Sequence, residues 1–155
     1  MARTSAAHGT TRAAEAPASN SQPWMHGRFY WNELRTRNPE QAMAFYRDTV
    51  GWRFERSSTP DGQDYWLAWM GEECVAGLFP LTDEKFKGVP ESWMSFLAVD
   101  DVDSRVAKAI HRGAKLVMPI FNVPNVGRIA MVLEPSGAGV GWITPVAPQT
   151  GVASR

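Results

Sequence analysis

The sequence predicts an α+β fold, a mixed sheet assembled from two βαβββ modules, and three observations carry that prediction. Segments with strand and helix character follow in the order strand, helix, three strands, and then the same again. The two runs superpose at one offset of about sixty residues, with Trp31 on Met94, Asn38 on Asp101 and Pro80 on Pro145. At 155 residues the chain falls in the one-domain range and can bury most of the surface its unfolded form exposes. An unrepeated α+β sheet with two helices would also accommodate these segments.

The first module starts with an extended, aromatic-rich segment from Arg28 to Arg35. Asn38-Pro39-Glu40-Gln41 then supplies a helix N-cap, a proline at the first helical position and a glutamine at the third. Ala42, Phe45, Tyr46 and Val50 keep helical spacing, and Gly51 provides the stop. Three strands fit Trp52–Arg56, Tyr65–Met70 and Cys74–Phe79, separated by the turns Thr59-Pro60-Asp61-Gly62 and Gly71-Glu72-Glu73. Trp66 and Trp69 fall on opposite faces of their strand, so only one of them can look inward.

The second module begins at Trp93–Val99. Asp100-Asp101 caps a helix that carries Val102, Val106, Ala109 and Ile110, and Gly113 ends it. Strands at Lys115–Met118, Arg128–Leu133 and Val140–Thr144 complete the copy, with Glu134-Pro135-Ser136-Gly137 as the hairpin turn. The expected organisation is a disordered tail over residues 1–24, a domain over 25–147 made of modules 26–80 and 91–146, and a C-terminal tail over 148–155. The first 24 residues are rich in Ala, Ser and Thr and have no apolar signal core. Met25 opens almost directly onto the first strand and is a candidate start of the natural chain.

Sixteen Lys and Arg balance sixteen Asp and Glu with no face-sized run of either sign, which argues against nucleic acid or an anionic membrane as partner. No apolar stretch approaches the roughly 20 residues needed to span a bilayer. A lone Cys74, set in the apolar run Cys74-Val75-Ala76-Gly77-Leu78-Phe79, reads as a strand thiol rather than a nucleophile and fits a reducing cytoplasm.

Trp31-Asn32-Glu33-Leu34, the cap at Asn38, Phe45-Tyr46 and Gly51-Trp52 resemble the opening module of the glyoxalase/bleomycin-resistance/dioxygenase group, the vicinal oxygen chelate superfamily. Val99-Asp100-Asp101-Val102-Asp103, Gly113-Ala114, Gly127-Arg128 and Glu134-Pro135-Ser136-Gly137 resemble its second module, and the likeness runs from about residue 26 to residue 146. No single motif is specific; their order and spacing are. The resemblance implies strands curled into a half-open cup. It also implies, for metal-dependent members, His or Gln on the first strand, His at the start of the fifth and Glu on the fourth or eighth, converging on one divalent ion.

Carried over by spacing from the helix caps, the first-strand ligand position is Trp31, the fifth-strand position Met94 and the eighth-strand position Gly141. Indole nitrogen does not ligate, a thioether is too soft for the expected ions, and glycine has no side chain. The fourth strand offers Cys74 alone. His8 lies in the tail, His26 precedes the first strand and His111 falls in the last turn of a helix, where a solvent-facing imidazole favoured by the helix dipole is the plain explanation. His26 and Glu33, seven residues apart along one strand, span roughly 23 Å and make a poor chelating pair. The expectation is therefore a member without a divalent metal or other cofactor.

Strand alternation turns Phe29, Trp31, Glu33 and Arg35 toward the cup, joined by Met94, Phe96 and Ala98 and by Gly139, Gly141 and Ile143. The expected ligand-binding set is Phe29, Trp31, Glu33, Met94, Phe96, Gly141 and Ile143, a lining that suits a flat, largely apolar small molecule. Glu33 is the exception. Desolvation among aromatic neighbours would raise its pKa and make it a candidate general base, whereas pairing with Arg35, Arg37 or Arg128 would make it a tie between strands. Two function classes follow: a metal-independent binding module that sequesters a small molecule, as bleomycin-resistance members do, or an enzyme of lyase, isomerase or dioxygenase type, acting either through Glu33 without a metal or through ligands other than those the spacing assigns. A homodimer is expected, because apolar cup residues left wet normally mark an interface or a ligand site and family members commonly close their cups by pairing.

Overall fold

The computed structural model describes residues 23–59 and 61–146. Its elements run β1 (Phe29–Thr36), α1 (Pro39–Val50), β2 (Arg53–Ser58), β3 (Asp64–Met70), β4 (Glu73–Pro80), a 3-10 turn at Glu84–Phe86, β5 (Ser92–Ala98), α2 (Val102–His111), β6 (Lys115–Leu116), β7 (Phe121–Val123), β8 (Gly127–Leu133) and β9 (Gly139–Pro145). The strands form one open mixed sheet in the order β2-β3-β4-β1-β5-β9-β8-β6, with β7 also on β8. Each module is a half-sheet, and the halves join where β1 and β5 pair antiparallel. The last strand of each module returns parallel to its first, β4 beside β1 and β9 beside β5.

Local chemistry fixes the helices as expected. The Asn38 side chain accepts from Gln41 N at 3.0 Å, and Gly51 takes the left-handed conformation at φ 78° while its N–H closes back on Arg47 O. Asp101 caps α2 by accepting from Asp103 N at 3.0 Å and Ser104 N at 3.3 Å. Val102 and Val106 of α2 are buried against Ala130 and Val132 of β8, forming the core behind the second half-sheet.

Several expectations need correction. The second module's first edge strand is broken into β6 and β7, because Pro119 lies between them and has no N–H to offer a sheet ladder. No residue of α1 is fully buried: Phe45 is 57% and Val50 48% exposed, since neighbours on a helix stand about 100° apart and Tyr46 takes the inward position against Trp52. Ile110 of α2 is likewise 52% exposed. Trp24, assigned from sequence to the tail, is buried at 7% exposure; residues 1–22 and 147–155 lie outside the described residues. Among the described residues no helix is long and apolar enough to cross a membrane.

Candidate functional site

The inner face of the sheet, opposite the helices, is organised by two cross-strand rows. Leu67, Gly77, Glu33 and Met94 face one another across β3, β4, β1 and β5, and Trp31, Phe96, Gly141 and Met131 do so across β1, β5, β9 and β8. The polar chemistry centres on Glu33 of the first row and reaches Trp31 and Met131 of the second. The Trp31 indole N–H donates to the Tyr65 hydroxyl at 3.1 Å, and that hydroxyl donates to Glu33 Oε2 at 3.1 Å. Arg35 Nε donates to the other carboxylate oxygen, Oε1, at 3.4 Å, and Arg35 Nη2 reaches across the cup to Met131 Sδ at 3.7 Å.

Gly77 makes this chain possible. A Cβ at that position would stand 1.7 Å from the Tyr65 hydroxyl oxygen, so only glycine lets the phenol lie flat over β4 and reach Glu33. Side-chain exposure is 13% for Glu33 and 19% for Arg35. Burial pushes the Glu33 carboxyl above the ordinary carboxylate range, although the Arg35 charge and the hydrogen bonds from Tyr65 and Arg35 pull the other way. Burial, and then the Glu33 charge, drive the Tyr65 phenol well above its ordinary value, so Tyr65 is a hydrogen-bond donor and not a phenolate at neutral pH.

Of the seven residues expected to line the cup, Trp31, Glu33 and Met94 lie together, half-buried, at its centre. Phe96 and Ile143 are 6% and 2% exposed and belong to a packed cluster with Ile129 and Met131, supported by Phe121, Val123 and Val126. Gly141 is buried beside them, with the Phe96 ring filling the space of its missing side chain: an added Cβ would meet Phe96 Cδ1 at 2.2 Å. Phe29 stands apart at 68% exposure. A register shift between Phe29 and Trp31 breaks the strict alternation there, and Tyr30 rather than Phe29 packs onto the inner cluster. Tyr65 was not singled out from sequence; its alternation with Leu67 and Trp69 on a strand opposite Gly77 is the signal that marks it.

The partners left open for Glu33 resolve to Arg35. Arg37 is engaged with the Phe86 and Val89 carbonyls, and Arg128 makes a two-pronged contact with Asp103 at 2.5 and 2.8 Å. His26 Nδ1 accepts from Asp100 N at 3.1 Å, away from Glu33's partners, and His111 is exposed. Cys74 is half-buried, and burial pushes its thiol up to about 11, so it is not a thiolate nucleophile at neutral pH. The family's metal does not fit these residues. Trp31, Met94 and Gly141 offer no hard donor, the Phe96 ring occupies the space over Gly141, and among the described residues no three His, Cys, Asp or Glu side chains are placed to hold an ion.

Residues 28–141 match the model of the Glyoxalase/Bleomycin resistance protein/Dioxygenase superfamily. Two curated mycobacterial proteins, from Mycobacterium bovis and Mycobacterium tuberculosis and both named "Putative glyoxylase CFP32", are 34% identical over 112 residues, which is 72% of this chain and 43% of theirs. This chain thus matches less than half the length of those relatives. Among solved structures, a Streptomyces coelicolor methylmalonyl-CoA epimerase in complex with 2-nitronate-propionyl-CoA aligns with TM-score 0.60 at 15% identity, covering 82% of this chain and 100% of that one. The methylmalonyl-CoA epimerase of Mycobacterium tuberculosis aligns with TM-score 0.56 at 16% identity, over 77% of this chain and 88% of that one. At such identities these likenesses show the fold alone.

Proposed function

This chain belongs to the glyoxalase/bleomycin resistance protein/dioxygenase superfamily, and on that premise we propose that it is a metal-independent binding module for a small apolar or aromatic molecule. The observation that carries the reading is the donor set: the three positions that the resemblance assigns to metal ligands hold an indole, a thioether and a glycine whose side-chain space is filled by Phe96. Phe96 and Ile143 are buried in the packed cluster and Trp31 and Met94 rest half-buried against it, so the contact surface for the ligand is what Trp31 and Met94 leave exposed, with Glu33 and Arg35 as its polar anchors. A neutral flat probe, 2-naphthamide, titrated against protein in a chelating buffer tests this. Binding that Trp31→Ala weakens by on the order of 30-fold, about 2 kcal/mol, supports the reading, and absence of binding by both this probe and 2-naphthoate contradicts it.

A second reading is favoured by the raised Glu33 carboxyl and its Tyr65 donor: an enzyme of the lyase, isomerase or dioxygenase kind in which Glu33 moves a proton. Both Glu33 oxygens are already engaged, by Arg35 and by Tyr65, which favours anchoring over proton abstraction. For any substrate found, Glu33→Gln separates the two. A general base loses on the order of 100-fold or more in rate, whereas an anchor keeps most of its affinity.

The same reading includes a homodimer, with its basis moved from the cup to the helix side. There Phe45, Tyr46, Trp52 and Trp93 form a continuous aromatic ledge, ring centroids 4.8 to 6.1 Å apart, with Phe45 57% and Trp93 42% exposed. The curated relatives are long enough to hold a second domain of this size, since the matched 112 residues are 43% of their length. A second copy of this chain is the corresponding occupant of the ledge.

A further inference from the structure

Arg35 is the least satisfied charged group on the inner face. Its guanidinium carries five N–H donors in a fixed fork and is always protonated. Among the described residues, Nε meets Glu33 Oε1 at 3.4 Å, a long contact, and Nη2 meets only the thioether sulfur of Met131 at 3.7 Å, a weak acceptor. Nη1 has no protein acceptor among the described residues, yet the side chain is only 19% exposed. Only one Glu33 oxygen meets the fork, because the other, Oε2, accepts from Tyr65. A partly desolvated guanidinium held by one long carboxylate contact and one thioether contact is a group that lacks a bidentate partner.

We propose that the ligand of the cup carries a carboxylate, which docks on the Nη edge of Arg35 while its apolar or aromatic body lies along Trp31 and Met94. The ligand class is thus a small apolar carboxylic acid; the proposal rests on the reading of the cup as a small-molecule site. The charge balance agrees with it. Burial pushes the neighbouring Glu33 carboxyl upward despite Arg35, so Glu33 gives up its charge more readily than an ordinary carboxylate when a second anion approaches. Tyr65 keeps its hydrogen and stays neutral, so Arg35 supplies the positive charge at the centre of this face.

The test compares two probes of nearly equal shape, 2-naphthoate and 2-naphthamide, on the full chain by calorimetric or fluorescence titration. The wild-type protein binds the carboxylate at least about tenfold more tightly than the amide, the margin expected for hydrogen bonds to a charged group. Arg35→Gln abolishes the preference by weakening the carboxylate more than the amide, while Arg35→Lys retains part of it as a point charge. Equal wild-type affinities, or a preference that survives Arg35→Gln, overturn the proposal while leaving the cup a binding site. Failure of both probes to bind overturns the cup reading as well. If Arg35→Gln does not fold, the wild-type comparison and Arg35→Lys still decide the matter.

Discussion

The Tyr65 hydroxyl reaches Glu33 Oε2 at 3.1 Å by lying over Gly77, on the neighbouring strand, where a Cβ would come within 1.7 Å of it. Three strands meet in that contact: Tyr65 comes from β3, Gly77 from β4 and Glu33 from β1. The contact ties the first module's half-sheet to the strand that joins the two halves.

Gly77→Ala must therefore push the phenol away or shift β4, and it destabilises the protein by about 1–3 kcal/mol in urea unfolding. Tyr65→Phe removes the oxygen that the new methyl meets first but leaves the ring carbon at 2.5 Å, so the same change costs less in the Gly77→Ala background than in the wild type. Strict additivity of the two substitutions would show that they do not share this space.

The pH dependence of stability carries the sign of the Glu33 shift. Burial raises its folded-state pKa above the ordinary value of 4.5, so above pH 4.5 the folded state binds more protons than the unfolded state. The resulting penalty is absent below 4.5 and grows as pH rises toward the folded pKa. The stability of the wild type, measured relative to Glu33→Gln, accordingly falls as pH rises from 4.5. A difference that rises instead would mean that Arg35 and Tyr65 outweigh desolvation.

Trp24 lies in a segment whose composition reads as tail, yet it is buried at 7% exposure. Trp24→Ala costs about 3–5 kcal/mol, the range for deleting a large buried aromatic, and lowers the thermal midpoint by many degrees. An unchanged midpoint would show that Trp24 only rests on the surface.

Sedimentation equilibrium at micromolar concentration gives a dimer, and Phe45→Glu, which places a charge on the aromatic ledge, shifts it toward monomer. A strict monomer in the wild type, or a dimer indifferent to Phe45→Glu, removes the ledge as the interface.

What the sequence made legible was local. The caps at Asn38 and Asp101, the stop at Gly51 and the hairpin at Glu134–Gly137 are written in neighbouring residues, and the module order follows from them. The two half-sheets and their shared inner face followed from alternation. What stayed hidden depends on contacts between distant residues. The register shift beside Trp31 turns Tyr30 inward, and it arises in the pairing of β1 with β5, about sixty residues away. Arg35 was one of three possible partners for Glu33 until β1 and the loop carbonyls that occupy Arg37 were placed. Tyr65 entered the site because a glycine on another strand made room for it.

Elemental analysis of protein purified without chelators, paired with 2-naphthamide titrations before and after EDTA treatment, tests the central claim most directly. The account predicts far less than one equivalent of any divalent transition metal per chain and an affinity unchanged by EDTA, because Trp31, Met94 and Gly141 provide no hard donor. A stoichiometric metal whose removal abolishes binding would contradict it.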